Sequence, residues 1–165
     1  MPVVRKITPC LWFDDQAEEA VAFYAAIFKN SKIVTVSRYG EAGKEMHGKP
    51  AGSVMAMAFE LEGQTFTALN GGPAFRFNEA ISFQVDCETQ AEVDHYWKTL
   101  SEGGDPNAQQ CGWLKDKYGV SWQIVPRVLV EMLTDSDAGK SQRVMTAMLR
   151  MKKIEIDELR RAYAG

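Results

Sequence analysis

Residues able to act as nucleophiles, bases or metal ligands are few in this chain and widely scattered. The three cysteines, Cys10, Cys87 and Cys111, stand far apart, in odd number and without paired spacing, so they cannot close a disulfide framework. They are expected as reduced, partly buried thiols. A cysteine nucleophile needs a base beside it, and neither His47 nor His95 stands in a sequence context that ties it to a cysteine. The most informative polar group is an amide. In the stretch KYGVSWQIVP (117–126), a turn runs into a strand, and alternation puts Trp122 and Ile124 on one face with Ser121, Gln123 and Val125 on the other. A carboxamide donates and accepts at once, which suits it to orienting a polar organic group.

A scaffold must hold these groups, and its scale follows from composition. The 165 residues are the size of one ordinary domain, long enough to bury a sizeable core without disulfides or metals. With 45% hydrophobic and 25% charged residues the composition is globular, and a net charge of -3 with acids and bases interspersed offers no basic stripe for phosphates. Nucleic acid is not an expected partner. The longest apolar run, AVAFYAAIF, is about half a membrane span, and MPVVRKITPC lacks the apolar segment of a secretory signal. The expected setting is the cytoplasm, without a membrane partner.

The chain repeats itself. A shift of 72 residues lays LWFDDQAEEAVAFYAAIF over FQVDCETQAEVDHYWKTL without a gap, matching Leu11 to Phe83, Asp14 to Asp86, Val21 to Val93 and Tyr24 to Tyr96. Both copies read as a short alternating strand followed by an amphipathic helix, with Asp14 or Asp15 and Asp86 or Glu88 as N-cap candidates. A second shift, of 56, lays GQTFTAL (63–69) over GVSWQIV (119–125) and pairs Thr67 with Gln123. The first copy is 16 residues longer, and the surplus falls in the loop-like YGEAGKEMHGKPAG (39–52). Further strands are predicted near 32–39 and 53–60, and near 105–117 with an interruption at Gly112. Each copy is then strand, helix, strand, strand, strand, about 5–70 and 79–126, and two must pair to close a core. Residues 1–134 hold these paired modules. Residues 135–165 form a helical extension in which Val144, Met148 and Met151 recur at helical spacing, as core packing or as a methionine surface for a partner.

A doubled module of this kind resembles the vicinal oxygen chelate superfamily of glyoxalase I and the bleomycin and fosfomycin resistance proteins. The strings ITPCLWFD, AFYAAIF, ALNGGPAFRFNEAISFQVDC and CGWLKDKYGVSWQIVP are similar to its PhnB-like branch, often labelled 3-demethylubiquinone-9 3-methyltransferase domain. The likeness covers about residues 5–134. It implies an α+β fold in which eight strands form a cupped mixed sheet, with helices on the convex face, a small-molecule cavity on the concave face, and commonly a homodimer. In metal-using members the ligands come from the first and last strand of each module. Those places fall here at Thr8, Thr67, Ala80 and Gln123. Two hydroxyls, a methyl group and a neutral amide offer too little charge for a catalytic divalent ion. Glu79, one residue from Ala80, is expected to point at the helices with Ile81, Phe83 and Val85.

Given the cup that the resemblance implies, parity lists its wall. Cys10, Trp12 and Asp14 share the face of Thr8, Ser82 and Gln84 that of Ala80, Thr65 and Leu69 that of Thr67, and Ser121 and Val125 that of Gln123. Ile7, Leu11, Phe13, Phe66, Ala68, Ile81, Phe83, Val85, Trp122 and Ile124 form the apolar bed for helices. Asn70, before Gly71 and Gly72, could reach a ligand from the rim or merely make a turn. His47 could serve as acid or base if its loop folded over the cup, or remain solvated. KDKYG (115–119) reads as an exposed hairpin turn, and His95 and Lys98 as solvent-side helix residues. The functional expectation is a metal-free and cofactor-free binder of a small organic molecule, held by Thr8, Cys10, Trp12, Thr67, Asn70, Ser82, Gln84, Ser121 and Gln123. The alternatives are a glyoxalase- or dioxygenase-type enzyme of the same fold, the methyltransferase of the family label, and a structural module working through its tail. Against the methyltransferase stands FDDQAEEA, which has no glycine-rich turn after the first strand.

Overall fold

The structure is a computed structural model describing residues 5–165, and its packing divides into two compact units, one ending at Arg76 and the other running from Phe77 to Gly165. The first contains β1 (Cys10–Phe13), α1 (Ala17–Ile27), β2 (Ser31–Arg38), the short α2 (Lys44–His47), β3 (Val54–Leu61) and β4 (Gln64–Asn70). Its sheet runs β1-β4-β3-β2, with β1 parallel to β4 and the other pairs antiparallel. Alternation does the sorting. Leu11, Phe13, Met57, Phe59, Leu61, Phe66 and Ala68 are buried on one face, where α1 brings Ala17, Ala20, Val21, Tyr24 and Ile27. The β3–β4 hairpin turns on Glu62 and Gly63, both at positive φ (46° and 76°), the backbone of a two-residue hairpin turn.

What ends β4 also anchors α1. Asn70 Oδ1 accepts the Ala17 N–H at 2.8 Å, its Nδ2 donates to the Val54 carbonyl at 3.1 Å, and its own carbonyl accepts the Tyr39 hydroxyl at 2.6 Å. The predicted caps Asp14 and Asp15 do not serve; Gln16 is the N-cap and contributes no side-chain bond. Gly71 follows because nothing larger fits: a Cβ there would lie 2.2–2.5 Å from three atoms of the Trp12 ring. Gly72, at φ 94°, turns its carbonyl to the Trp12 indole N–H at 2.9 Å.

The second unit contains β5 (Ser82–Cys87), α3 (Gln90–Ser101), a 3-10 turn (Pro106–Ala108), β6 (Trp113–Lys115), β7 (Ser121–Pro126), α4 (Arg127–Leu133), α5 (Ala138–Met148) and α6 (Ile156–Ala164). The sheet order is β5-β7-β6, with β5 parallel to β7 and β6 antiparallel to it. Helix α3 covers Leu114, Trp122 and Ile124 with Val93 and Leu100, and its N-cap is Thr89, which accepts the Glu92 N–H at 3.2 Å, rather than Asp86 or Glu88.

The architecture is α+β, and among the described residues seven strands form rather than the expected eight, in sheets of four and three. The strand expected in the first half of 105–117 does not form. Pro106 lacks an N–H, Asp105 caps the 3-10 turn by accepting from Asn107 N, and Cys111 and Gly112 both take positive φ (52° and 83°). The Cys111 and Gly112 N–H groups instead reach the Met151 and Lys152 carbonyls of the C-terminal segment. That segment packs as core: Leu129, Met132, Val144, Met151, Ile154 and Leu159 form one buried cluster, with Met148 at its margin. Ile7 and Ile81, expected in the apolar bed, precede their strands and are exposed. Among the described residues no helix is long and apolar enough to cross a membrane.

The β6–β7 turn hangs on one carboxylate. Asp116, read from sequence as part of an exposed turn, is only 3% exposed. Its Oδ1 accepts the N–H groups of Tyr118 (2.8 Å) and Val120 (3.0 Å), and Oδ2 accepts the Trp122 indole N–H at 2.9 Å. Asp116→Ala would strand three donors in a poorly hydrated turn, and we expect a loss of roughly 3 kcal/mol in urea unfolding. Gly71→Ala should cost about 1–3 kcal/mol by overpacking Trp12. Adding Trp12→Leu to that variant should recover part of the loss, a non-additivity visible in a double-mutant cycle.

Candidate functional site

Strand β7 separates its side chains as the alternation predicts: Trp122 and Ile124 are buried against α3, while Ser121, Gln123 and Val125 take the other face. Residues directly paired across neighbouring strands share a face. Register therefore places Ser82 and Lys115 beside Ser121, and Gln84 and Trp113 beside Gln123. The Gln123 side chain is fixed by its Nε2, which donates to Ser82 Oγ at 2.9 Å. Its amide oxygen stays available. Gln84 is exposed and donates to Asp86 at 3.3 Å. Ser121 is 1% exposed, and its hydroxyl oxygen is buried with no hydrogen-bond partner. One pleat further, Val125 packs against the helical cluster, so the C-terminal helices border this face.

Glu79 is not directed at the helices. It lies ahead of β5, where strand parity no longer governs it, and its carboxylate pairs with the Lys115 ammonium on the Gln123 face. The hydrogen bond from Lys115 holds the Glu79 carboxyl below its ordinary range. Trp113, Lys115 and Glu79 are not among the residues that the sequence assigns to this face. Trp113 and Lys115 become visible once the β6–β7 register is known; for Glu79 no signal in the sequence identifies the partner.

The first unit carries its own polar face, opposite α1. Cys10 pairs in register with Thr67 and Trp12 with Leu69, and Thr65 lies on the same side. These residues are half-buried except Cys10, which is exposed. Thr8 precedes β1 and is exposed. The Trp12 ring meets Phe75 edge-on, with centroids 4.8 Å apart, and Phe75 is itself 65% exposed. Asn70 is on the helix side, paired in register with buried Phe13, and both ends of its amide are bonded within the chain. Its structural work accounts for it without a ligand.

The remaining candidates for acid, base or nucleophile are engaged or detuned. The His47 ring lies against Tyr39 at 4.5 Å, its Nδ1 accepts the Lys49 N–H at 2.9 Å, and its Nε2 faces the Ala42 carbonyl at 3.2 Å. Both ring nitrogens are thus engaged by backbone groups of the same loop. Desolvation raises the pKa of the Cys10 thiol, although the residue stands at an exposed strand end, and burial with nearby Glu92 and Asp86 pushes Cys87 up to about 12. A nucleophilic thiol needs the opposite shift. His95 and Lys98 are exposed on α3.

The four places that the family resemblance assigns to metal ligands do not suit a divalent ion. Thr8 and Ala80 fall outside the strands and are exposed, Thr67 offers only a hydroxyl, and Gln123 only a neutral amide oxygen. Among the described residues no three of His, Cys, Asp and Glu come together as a metal site. The repeat also slips: Thr67 stands beside Cys10, but its counterpart Gln123 stands beside Gln84 rather than Ser82, a shift of one pleat that keeps the facing unchanged.

The sequence profile of the family described as 3-demethylubiquinone-9 3-methyltransferase matches residues 5–125. No curated protein matches the chain. Among solved structures, a PhnB protein from Bacillus cereus is 39% identical, over 74% of this chain and 99% of that one, with a TM-score of 0.63. Protein PA1353 from Pseudomonas aeruginosa is 19% identical, over 74% and 98%, with a TM-score of 0.56. The fosfomycin resistance protein FosX from Listeria monocytogenes is 15% identical, over 81% and 99%, with a TM-score of 0.55, and at that identity it speaks to fold alone. With the profile spanning both copies of the repeat, the chain belongs to the family of 3-demethylubiquinone-9 3-methyltransferase-like domains, and its PhnB-like and FosX neighbours share the vicinal oxygen chelate fold.

Proposed function

We propose that this protein binds a small organic molecule on the polar faces of its sheets, through hydrogen bonds and ring contacts rather than through a divalent cation. The observation that carries the reading is Gln123: a half-buried carboxamide held in place by Ser82, its carbonyl oxygen unspent, between Trp113 and Gln84. A preoriented amide beside an indole is the usual make-up of a site that orients a polar ligand over an apolar contact. Trp12 and Phe75, with Cys10 and Thr67, supply a second set of ring and polar contacts in the first unit.

The other readings have less support. A metal-dependent glyoxalase or dioxygenase is not favoured by a donor set of two hydroxyls, a methyl group and a neutral amide. Methyl transfer of the glycine-rich-turn type is not favoured either, because the β1–α1 connection is Asp14-Asp15-Gln16 and the first helical N–H is taken by Asn70. A homodimer fits the edge strand β2, which exposes Ile33, Val34 and Val36 and has no neighbour beyond it within its sheet.

The test is a thermal-shift screen of small polar aromatics with and without EDTA, repeated on Gln123→Leu. Stabilising compounds should be unaffected by EDTA and should lose at least tenfold in affinity in the variant. Binding abolished by the chelator, or indifferent to Gln123→Leu, would overturn the proposal.

A further inference from the structure

We infer that the ligand of the Gln123 face is a planar organic acid, its carboxylate or comparable oxyanion received by Lys115 and Ser121 and its ring by Trp113. This rests on the binding reading above and names the ligand class. Lys115 and Ser121 are direct partners across β6 and β7, so ammonium and hydroxyl stand on one face and one pleat from the Gln123 amide. The Ser121 hydroxyl is buried without a hydrogen-bond partner in the chain, a state that is costly unless a partner arrives. Lys115 is the long charged side chain registered against it, only 24% exposed, and its partner Glu79 is 61% exposed. An exposed carboxylate on the segment before β5 can give way to water at small cost, because surface ion pairs contribute little. Glu79 thus occupies the position of an anion on Lys115, and an incoming oxyanion exchanges with it. Once Lys115 turns to that oxyanion, the hydroxyl beneath it also gains an acceptor. Trp113, paired with Gln123, gives a flat surface at the distance of one neighbouring strand. No covalent step is involved.

The exchange predicts opposite effects for the two charged partners. Binding of 2-naphthoate and of its neutral counterpart 2-naphthamide would be measured by calorimetry on the full chain, on Lys115→Met and on Glu79→Gln. Naphthoate should bind wild type at least tenfold tighter than naphthamide. Lys115→Met should abolish that preference by weakening naphthoate at least tenfold more than naphthamide, and Glu79→Gln, at an exposed position where folding is not at risk, should tighten naphthoate severalfold. Equal binding of acid and amide to wild type, or weaker naphthoate binding by Glu79→Gln, overturns the inference while leaving the binding reading intact. If neither probe binds wild type, the inference and the reading beneath it fail together.

Discussion

The hydrogen bond from Gln123 Nε2 to Ser82 Oγ joins the last strand of the second unit to its first, on the side away from α3. It depends on parity. Trp122 and Ile124 are committed to the helix face, so Ser121 and Gln123 have no choice of side, and a one-residue slip would bury the amide and expose the indole. Asp116 fixes that register by binding the turn and the Trp122 indole together. The chemistry of the face therefore follows from a turn carboxylate several residues away. Neutral donors and acceptors predominate on this face, and charge comes from Lys115, Glu79 and, beside Gln84, Asp86.

The first unit uses the same plan with a different lock. Asn70 spends its whole amide on the start of α1 and on β3, and Gly71 gives up its side chain to admit Trp12. Buried donors and acceptors at a helix start must find partners, and a carboxamide at the end of the neighbouring parallel strand meets that need with both ends. Indole, glycines and asparagine form one constraint: Trp12 can present its ring only because the segment after β4 has no side chains to obstruct it. The loop 39–52 is drawn into the same point through the Tyr39 hydroxyl, with His47 against the Tyr39 ring and Lys49 reaching the Asp14 carbonyl at 3.2 Å.

Much of this was legible in the amino-acid sequence. The gap-free repeat located β1, α1, β5 and α3, and alternation assigned the faces of β4 and β7 correctly, because a strand with one buried face leaves a period of two. Counting on from Phe66 and Ala68 would also have put Asn70 on the buried face; the following glycines made it look like a turn instead. Other features had no local signature. Pro106 marked the failure of a strand only in retrospect, since the competing partners of Cys111 and Gly112 lie some forty residues later, at Met151 and Lys152. Lys115 and Trp113 join the Gln123 face through register, which three-residue β6 is too short to announce. Asp116 sat among charges that read as solvated, and burial of a carboxylate by backbone N–H groups depends on the folded turn.

Family membership fixes the fold and leaves the reaction open, since one fold hosts many chemistries and function lies in the site. The Gln123 amide is the group whose partner separates an organic ligand from a cation. Side-chain NH2 resonances of Gln123, assigned by comparison with the Leu substitution, can be followed by NMR while paramagnetic Mn(II) and then 2-naphthoate are added. The account predicts no selective broadening at one equivalent of Mn(II) and a clear shift with the organic acid. Selective loss of the Gln123 signal at substoichiometric Mn(II) would contradict it.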